Sequence, residues 1–413
     1  MGDPARLSRR RLLTTGAAAA GGAVIGAAGG AVGARALASS SDDDAASALH
    51  GSATVAFHGP HQAGILTPPQ AFATWIAFDL RDGVDREAAT RLMRIWTEDS
   101  SRLAEGRPGL TDTEPELATA PGRLTVTVGF GPGFFVATGT EDRAPRWLRP
   151  LPAFSIDRLD ERWNGGDLVL QICADDPVTV SHVTRLLAKE ARTFVTVRWV
   201  QHGFRRARGS EAEGTTMRNL MGQVDGTRNV TAAEADRLVW IGAESARRFG
   251  EQPEWITGGT SLVIRRIAMN LDTWDELDRP AREESIGRRL ADGAPLTGKR
   301  EHDEPDLEAR DELGLEKIAS FAHIRRARSE DPDERFLRRS YNYDQAPAAG
   351  TMSDSGQVFV SFQADVEAQF LPIQRRLDEL DLLNQWTTPI GSAVFAVPPG
   401  VRPGDWWGST LLG

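Results

Sequence analysis

The hydrophobic and polar positions of this chain fall into two similar series. In the first, "TWIAFDL" (74–80) reads as a strand. "REAATRLMRIWTEDSSRLAEG" (86–106) places Ala89, Leu92, Ile95 and Trp96 at helical spacing. "RLTVTVGFG" (123–131) alternates as a strand does, and "DLVLQICAD" (167–175) is the continuous apolar run of a strand buried on both faces. "PVTVSHVTRLLAKEA" (177–191) is a helix with proline at its first position, and "FVTVRWVQHGF" (194–204) is a further strand. The order β-α-β-β-α-β is the ferredoxin-like pattern.

A polar linker, "RRARGSEAEGTT" (205–216), precedes the second series. Strands are expected at 260–271, 357–365 and 391–400, and a helix at 366–380. Residues 273–290 read as helical, and the charged run 297–314 as loop. The fold class is therefore α+β, with two ferredoxin-like domains of duplicated antiparallel sheets and flanking helices. They are expected over residues 53–205 and 215–413. No repeat in the sequence itself accompanies the duplication.

The N-terminus belongs to neither series. Ser8-Arg9-Arg10-Arg11-Leu12-Leu13 opens a Gly/Ala-rich, weakly apolar run that ends at Ala36-Leu37-Ala38. Residues 1–38 have the form of a twin-arginine export signal, too poor in large apolar side chains for a membrane anchor. A polar tail over 39–52 is expected to be disordered. The location implied is extracellular, cell-surface or periplasmic. The twin-arginine machinery carries folded proteins, often with a cofactor inserted.

Composition excludes several classes. The 413 residues carry a formal net charge of −10, which disfavours nucleic acid as a partner. The single cysteine, Cys173, forbids an internal disulfide and a cysteine-ligated zinc or iron–sulfur centre, and reads as a buried strand residue. No HExxH, CxxC, P-loop or GxSxG motif occurs, and "GFGPG" (129–133) lacks the spacing of a nucleotide loop.

The candidate chemistry is thin and scattered. Of seven histidines, His323 stands apart, between a small apolar stretch and Arg325, Arg326 and Arg328. Asp225 sits in "GQVDG" (222–226), which reads either as a turn containing an acid or as an acid held by a turn. Arg338-Arg339 lie in "RFLRRSYNYD". A haem peroxidase needs an imidazole ligand, a distal acid/base and a fixed cation, but chemical type alone does not join positions so far apart.

What joins them is a resemblance. Gly222-Gln223-Val224-Asp225-Gly226 meets the GxxDG signature of the dye-decolourising peroxidase family. "HQAGILTPPQ" (61–70), "GGDLVLQICADD" (165–176), "GGTSLVIRRI" (258–267), "AHIRRA" (322–327), "FLRRSYNYD" (336–344) and "PIGSAVFAVPPG" (389–400) resemble that family's exported, iron-transport-related subgroup. The resemblance implies one haem b per chain, in the C-terminal domain. His323 matches the iron ligand, Asp225 the distal acid/base and Arg338 the distal arginine, with Arg339 the alternative one register away. Gly226, Thr227 and Arg228 are expected to line the haem, with Arg228 a candidate for a propionate. Arg328-Ser329 and Ser340 depart from the family's usual Asn-Pro and Gly.

The function implied is reduction of hydrogen peroxide with oxidation of dyes, phenolic or other bulky aromatic reductants. The alternative is a deferrochelatase-like protein that releases iron from haem beside an iron permease; a haem binder without turnover is a third. Asp365 or Glu367 is a candidate carboxylate partner for His323. Tyr341 and Tyr343, the only two tyrosines, are either core residues or an electron relay to the surface.

Overall fold

The computed structural model describes residues 50–413. The export segment expected over 1–38 lies outside the described residues, as does the tail up to residue 49. The end of that tail is not disordered as expected. His50–Ser52 forms a 3-10 turn, and the Gly51 carbonyl accepts from Gly122 N at 2.8 Å. Arg123 N likewise donates to Ala53 O at 2.6 Å, so this segment satisfies backbone donors just ahead of a strand.

The first series gives β1 (Phe72–Leu80), α1 (Arg86–Ala104), β2 (Thr125–Phe130), α2 (Pro132–Thr138), β3 (Leu168–Ala174), α3 (Pro177–Ala191) and β4 (Val195–Phe204). Asp85 starts α1 by accepting from Ala88 N, and Asp176 starts α3 by accepting from Val178 N and Thr179 N. Leu92, Met93 and Trp96 on α1 are fully buried, each contributing ~1.5–3 kcal/mol. All seven β3 residues are buried, as the continuous apolar run implies.

The second series gives β5 (Thr260–Met269), β6 (Leu337–Arg338), β7 (Tyr341–Gln345), β8 (Asp354–Gln363) and β9 (Thr387–Val397). The helix Leu371–Leu380 is entered through a π-turn, Val366–Phe370. β6 and β7 pair with successive parts of β8, so they form one edge strand interrupted at Arg339-Ser340. The sequence reading missed this strand, whose polar residues mask the alternation.

Both halves have the same strand order. The first runs β4-β1-β3-β2 and the second β9-β5-β8-β7, each the ferredoxin-like arrangement. Phe130 pairs with Ala396 and Phe204 with Asn342, so the two sheets join edge to edge into a closed ring. Closure removes the exposed edges that would otherwise invite pairing with other chains.

The halves differ in their crossovers. The first crossover of the second half, between β5 and β6, is mostly irregular. The helix expected over 273–290 is broken into Leu271–Trp274 and Arg279–Ile286, with Pro280 in the first turn of the second piece and Gly287 (φ +84°) ending it. This crossover and the segment between β4 and β5 carry the candidate site.

Away from that site, a carboxyl pair clamps the 109–114 loop to α1 and α3. Asp99 accepts from Leu110 N at 2.9 Å, and Glu190 accepts from Thr111 Oγ1 at 3.0 Å. Burial, together with Asp99 alongside, pushes the Glu190 carboxyl up to about 8. An acid whose folded pKa exceeds its unfolded value is most favourable to folding while protonated. Its contribution is full below about 4.5 and is lost as pH rises towards about 8. Glu190→Gln should therefore flatten the decline in stability over that window, measured by urea unfolding at several pH values. An unchanged slope would contradict a Glu190 carboxyl held protonated by burial and Asp99.

Candidate functional site

Asp225 is carried by a tight hairpin. Asn219 N donates to Gln223 O, Gly222 N donates to Asn219 O, and the Asn219 side chain accepts from Met221 N and Gln223 N, all within 3.0–3.1 Å. Gly222 takes φ +84° at the tip, the left-handed region that favours glycine. Asp225 N then donates to Met217 O at 2.8 Å, fixing the backbone at the acid itself. Asp225 caps no helix; the next one starts from Thr231 with Glu234. The stretch is both a turn and an acid held by that turn.

The carboxylate has three partners. Arg338 Nη1 donates to Oδ1 at 3.1 Å, Gln357 Nε2 to Oδ2 at 2.7 Å, and Asn219 Nδ2 to Oδ2 at 3.4 Å. Burial by itself pushes this carboxyl up. Arg338, the Gln357 amide, the nearby His323 ring and the Asn219 amide outweigh it and hold the group below the usual carboxylate range. Arg339 faces the other way, fully buried, and donates to Thr67 O and Gln70 Oε1. Period-2 alternation along the edge strand separates the two arginines.

His323 opens the four-residue helix His323–Arg326. Its Nδ1–H donates to Asp381 Oδ2 at 2.6 Å. Asp381 is itself pinned, its Oδ1 accepting from Leu383 N at 3.0 Å. The Asp381 side chain is only 4% exposed, whereas the His323 ring is 33% exposed, so the Nε2 edge is the accessible one. Burial lowers the imidazole's proton affinity, but Asp381 and Asp225 together raise it above its ordinary value. Asp225, with Arg338 on it, and His323 lie near enough for the charge of each to bear on the other.

Neither Asp365 nor Glu367 is the partner of His323. Asp365 caps the turn that follows it and pairs with Arg146, and Glu367 pairs with Arg149. Helix-start geometry takes both. Thr227 and Arg228 are held by acids of the charged run: Thr227 Oγ1 donates to Glu301 at 2.9 Å, and Arg228 pairs with Glu304 at 2.7 Å. Arg328, beyond the His323 helix, reaches Glu304 too. Gly226 has φ +127°, and a Cβ there would meet only Thr216 Cγ2, at 3.5 Å.

Sequence reasoning missed Asp381, Gln357, Asn219 and Asn229. Asp381 carries a weak signal, as an acid directly after a helical period. Two other acids, Asp378 and Glu379, stand just before it at the end of the same helix.

Among the described residues, one other group has ligand-type atoms close together: Asp112, Glu114 and His182, within 4.8 Å of one another. His182 Nε2 lies 2.9 Å from Asp112 Oδ2, Arg185 pairs with Glu114, and His182 Nδ1 is buried without a partner. A metal on Nε2 would force the proton onto Nδ1 as an unsatisfied buried donor. The group is a buried histidine–aspartate latch between loop and helix.

Models of the Dyp-type peroxidase N-terminal and C-terminal domains match residues 62–205 and 216–402. The chain belongs to the Dyp-type peroxidase family. It is 40% identical over 365 residues to the dye-decolorizing peroxidase of Thermobifida fusca, covering 85% of this chain and 83% of that protein. It is 34% identical over 375 residues to the deferrochelatase of Escherichia coli K12, covering 86% of each. The solved Dyp-type peroxidase of Cellulomonas bogoriensis shares 58% identity with a TM-score of 0.85, over 88% of this chain and 99% of that one.

For this Dyp-type peroxidase the tyrosines read as core. Tyr341 and Tyr343 are 0% and 1% exposed, so neither reaches the surface; the Tyr341 hydroxyl has only the Cys173 thiol beside it, and that of Tyr343 has no hydrogen-bond partner. Arg205 lies over the Tyr341 ring and Arg266 over that of Tyr343. Burial pushes both phenols up, Tyr343 to about 12, and no carboxylate is hydrogen-bonded to take their protons. Tyr341→Phe and Tyr343→Phe should leave dye turnover unchanged and stability equal or slightly higher. A severalfold loss of turnover in either variant would reinstate the relay.

Proposed function

We propose that the chain is a haem peroxidase that reduces hydrogen peroxide at the expense of bulky aromatic reductants, with His323 as the iron ligand and Asp225 and Arg338 on the opposite face. The observation that carries this reading is the set of groups brought near one another. An imidazole is locked by a buried carboxylate at Nδ1 with its Nε2 edge accessible, and an ionised acid–arginine pair lies close enough to act on it. Such a carboxylate–histidine pair orients a metal-ligating ring and raises its basicity. The open position at Gly226 leaves backbone without a side chain beside Asp225, which suits a flat macrocycle. The donor set therefore fits haem b.

When bound, haem supplies the electrons that cleave the O–O bond and holds the oxidising equivalents until the reductant arrives. The protein's own part is proton and charge management. An ionised carboxylate has about four acceptor positions. Arg338, Gln357 and Asn219 fill three on Asp225, leaving one to take a proton from peroxide and return it to the departing oxygen. Arg338 Nη1 stabilises negative charge as that bond lengthens, and a guanidinium does so without titrating. Arg228 and Arg328, both on Glu304, are the cations available to haem propionates.

The relative named deferrochelatase supports a second reading, release of iron from haem. Metal-free porphyrin appearing when the protein is incubated with haem and a reductant would favour it. The arginine-rich start and small-x-small end of residues 1–38 support export by the twin-arginine machinery, with an iron permease as the neighbour in that second case.

Purified protein should show a haem Soret band that shifts on adding peroxide; folded protein that takes up no haem would end the reading. Asp225→Asn should retain haem and slow peroxide reduction by about 10²–10⁴-fold. Because Asp225 is held below the ordinary carboxylate range, the wild-type rate should persist through mild acid and fall only at a pH more acidic than an ordinary carboxylate would set. A stopped-flow profile whose acid limb lies near neutrality would contradict this. Asp381→Asn should weaken haem retention about 10–100-fold, measured by transfer to apomyoglobin. Retention equal to wild type would remove Asp381 from the site.

A further inference from the structure

We infer that Asn229 is a positioning residue that fixes Arg338 against Asp225, an assignment that rests on the proposed role of those two groups. Arg338 lies on the edge strand, and the peptide N–H of the next residue, Arg339, donates to Val360 O on β8 at 2.8 Å. Arg338's own N–H and C=O therefore point away from β8. The side-chain amide of Asn229 meets both: Oδ1 accepts from Arg338 N at 2.7 Å, and Nδ2 donates to Arg338 O at 2.8 Å. One side-chain amide thus replaces a neighbouring strand.

Asn229 is itself anchored. Its Oδ1 also accepts from Val230 N at 3.0 Å, and its backbone carbonyl accepts from Arg335 Nη2 at 3.2 Å. Arg335 pairs with Glu234. Asn229 lies four residues after Asp225 in the same connection, so a single loop carries the acid and grips the backbone that carries its cation. The 3.1 Å separation of Arg338 Nη1 and Asp225 Oδ1, 113 residues apart in sequence, is set through this grip. Only asparagine or glutamine offers a donor and an acceptor in this peptide-like form, and glutamine is a methylene too long for the same position.

The test compares Asn229→Ala with Asn229→Asp, each alone and combined with Arg338→Leu. The aspartate variant keeps the acceptor for Arg338 N and is isosteric. It sets a carboxylate oxygen against Arg338 O, so it serves if the alanine variant does not fold. Haem content and the Soret maximum should match wild type. The bimolecular rate with peroxide should fall by about 10²-fold, the usual loss when a charged group is displaced by about an ångström. Fluoride affinity of the ferric protein, which senses the cation over the iron, should weaken roughly tenfold. In the Arg338→Leu background neither Asn229 substitution should change rate or fluoride affinity further. An equal loss in both backgrounds would make Asn229 a general structural residue and overturn the assignment, as would unchanged rate and fluoride affinity in the single variants. If Arg338→Leu itself leaves the peroxide rate intact, the reading of the site fails, and the assignment of Asn229 with it.

Discussion

A half-buried carboxylate that must stay ionised is the constraint on which this site depends. Removing Asp225 from water favours its neutral form, and the neutral form would offer peroxide no base. Arg338 opposes that cost, but an arginine does so only if it is held in place. Two amides, from Gln357 and Asn219, complete the stabilisation. The Arg338–Asp225 pair keeps some contact with solvent, 26% and 21% of the side chains being exposed, so it escapes the full desolvation penalty of a buried ion pair.

The ring of strands supplies the rigidity that this arrangement needs. β5 pairs with both β8 and β9 along its whole length, and the two sheets close on each other at their edges. Gln357 is on β8 and Arg338 on the edge strand beside it, so two of the three partners of Asp225 come from the frame. The remaining parts come from irregular segments. Asp225 lies in the connection between β4 and β5, His323 in the crossover after β5, and Asp381 just past the helix that leads to β9. Variable connections hung on a fixed sheet are where binding and chemistry are commonly placed.

The frame was legible in the sequence because its signal is local. Alternation in β2, the unbroken apolar run of β3 and the capped period of α3 each mark their own element. The edge strand Leu337–Gln345 was not legible, since its buried residues include Arg339, Asn342 and Tyr343 in a polar-looking stretch. Asp225, His323 and Arg338 were found through their resemblance to a family and not through any local rule. Two of their supporting residues were missed because they act at long range: Asp381 is 58 residues from His323, and Gln357 is 132 from Asp225. Asp365 and Glu367 were plausible only while the capping by Asp365 and the pairing of Glu367 with Arg149 were unseen.

In the proposed site His323, steadied by Asp381, would hold the iron, while Asp225 and Arg338 would serve peroxide. The most direct measurement is the ferric absorption and electron paramagnetic resonance spectrum of His323→Gly, with and without added imidazole. The wild-type ferric signature should be lost, and free imidazole seated against Asp381 should restore it. A variant that binds haem with the wild-type spectrum and no response to imidazole would contradict this role of His323.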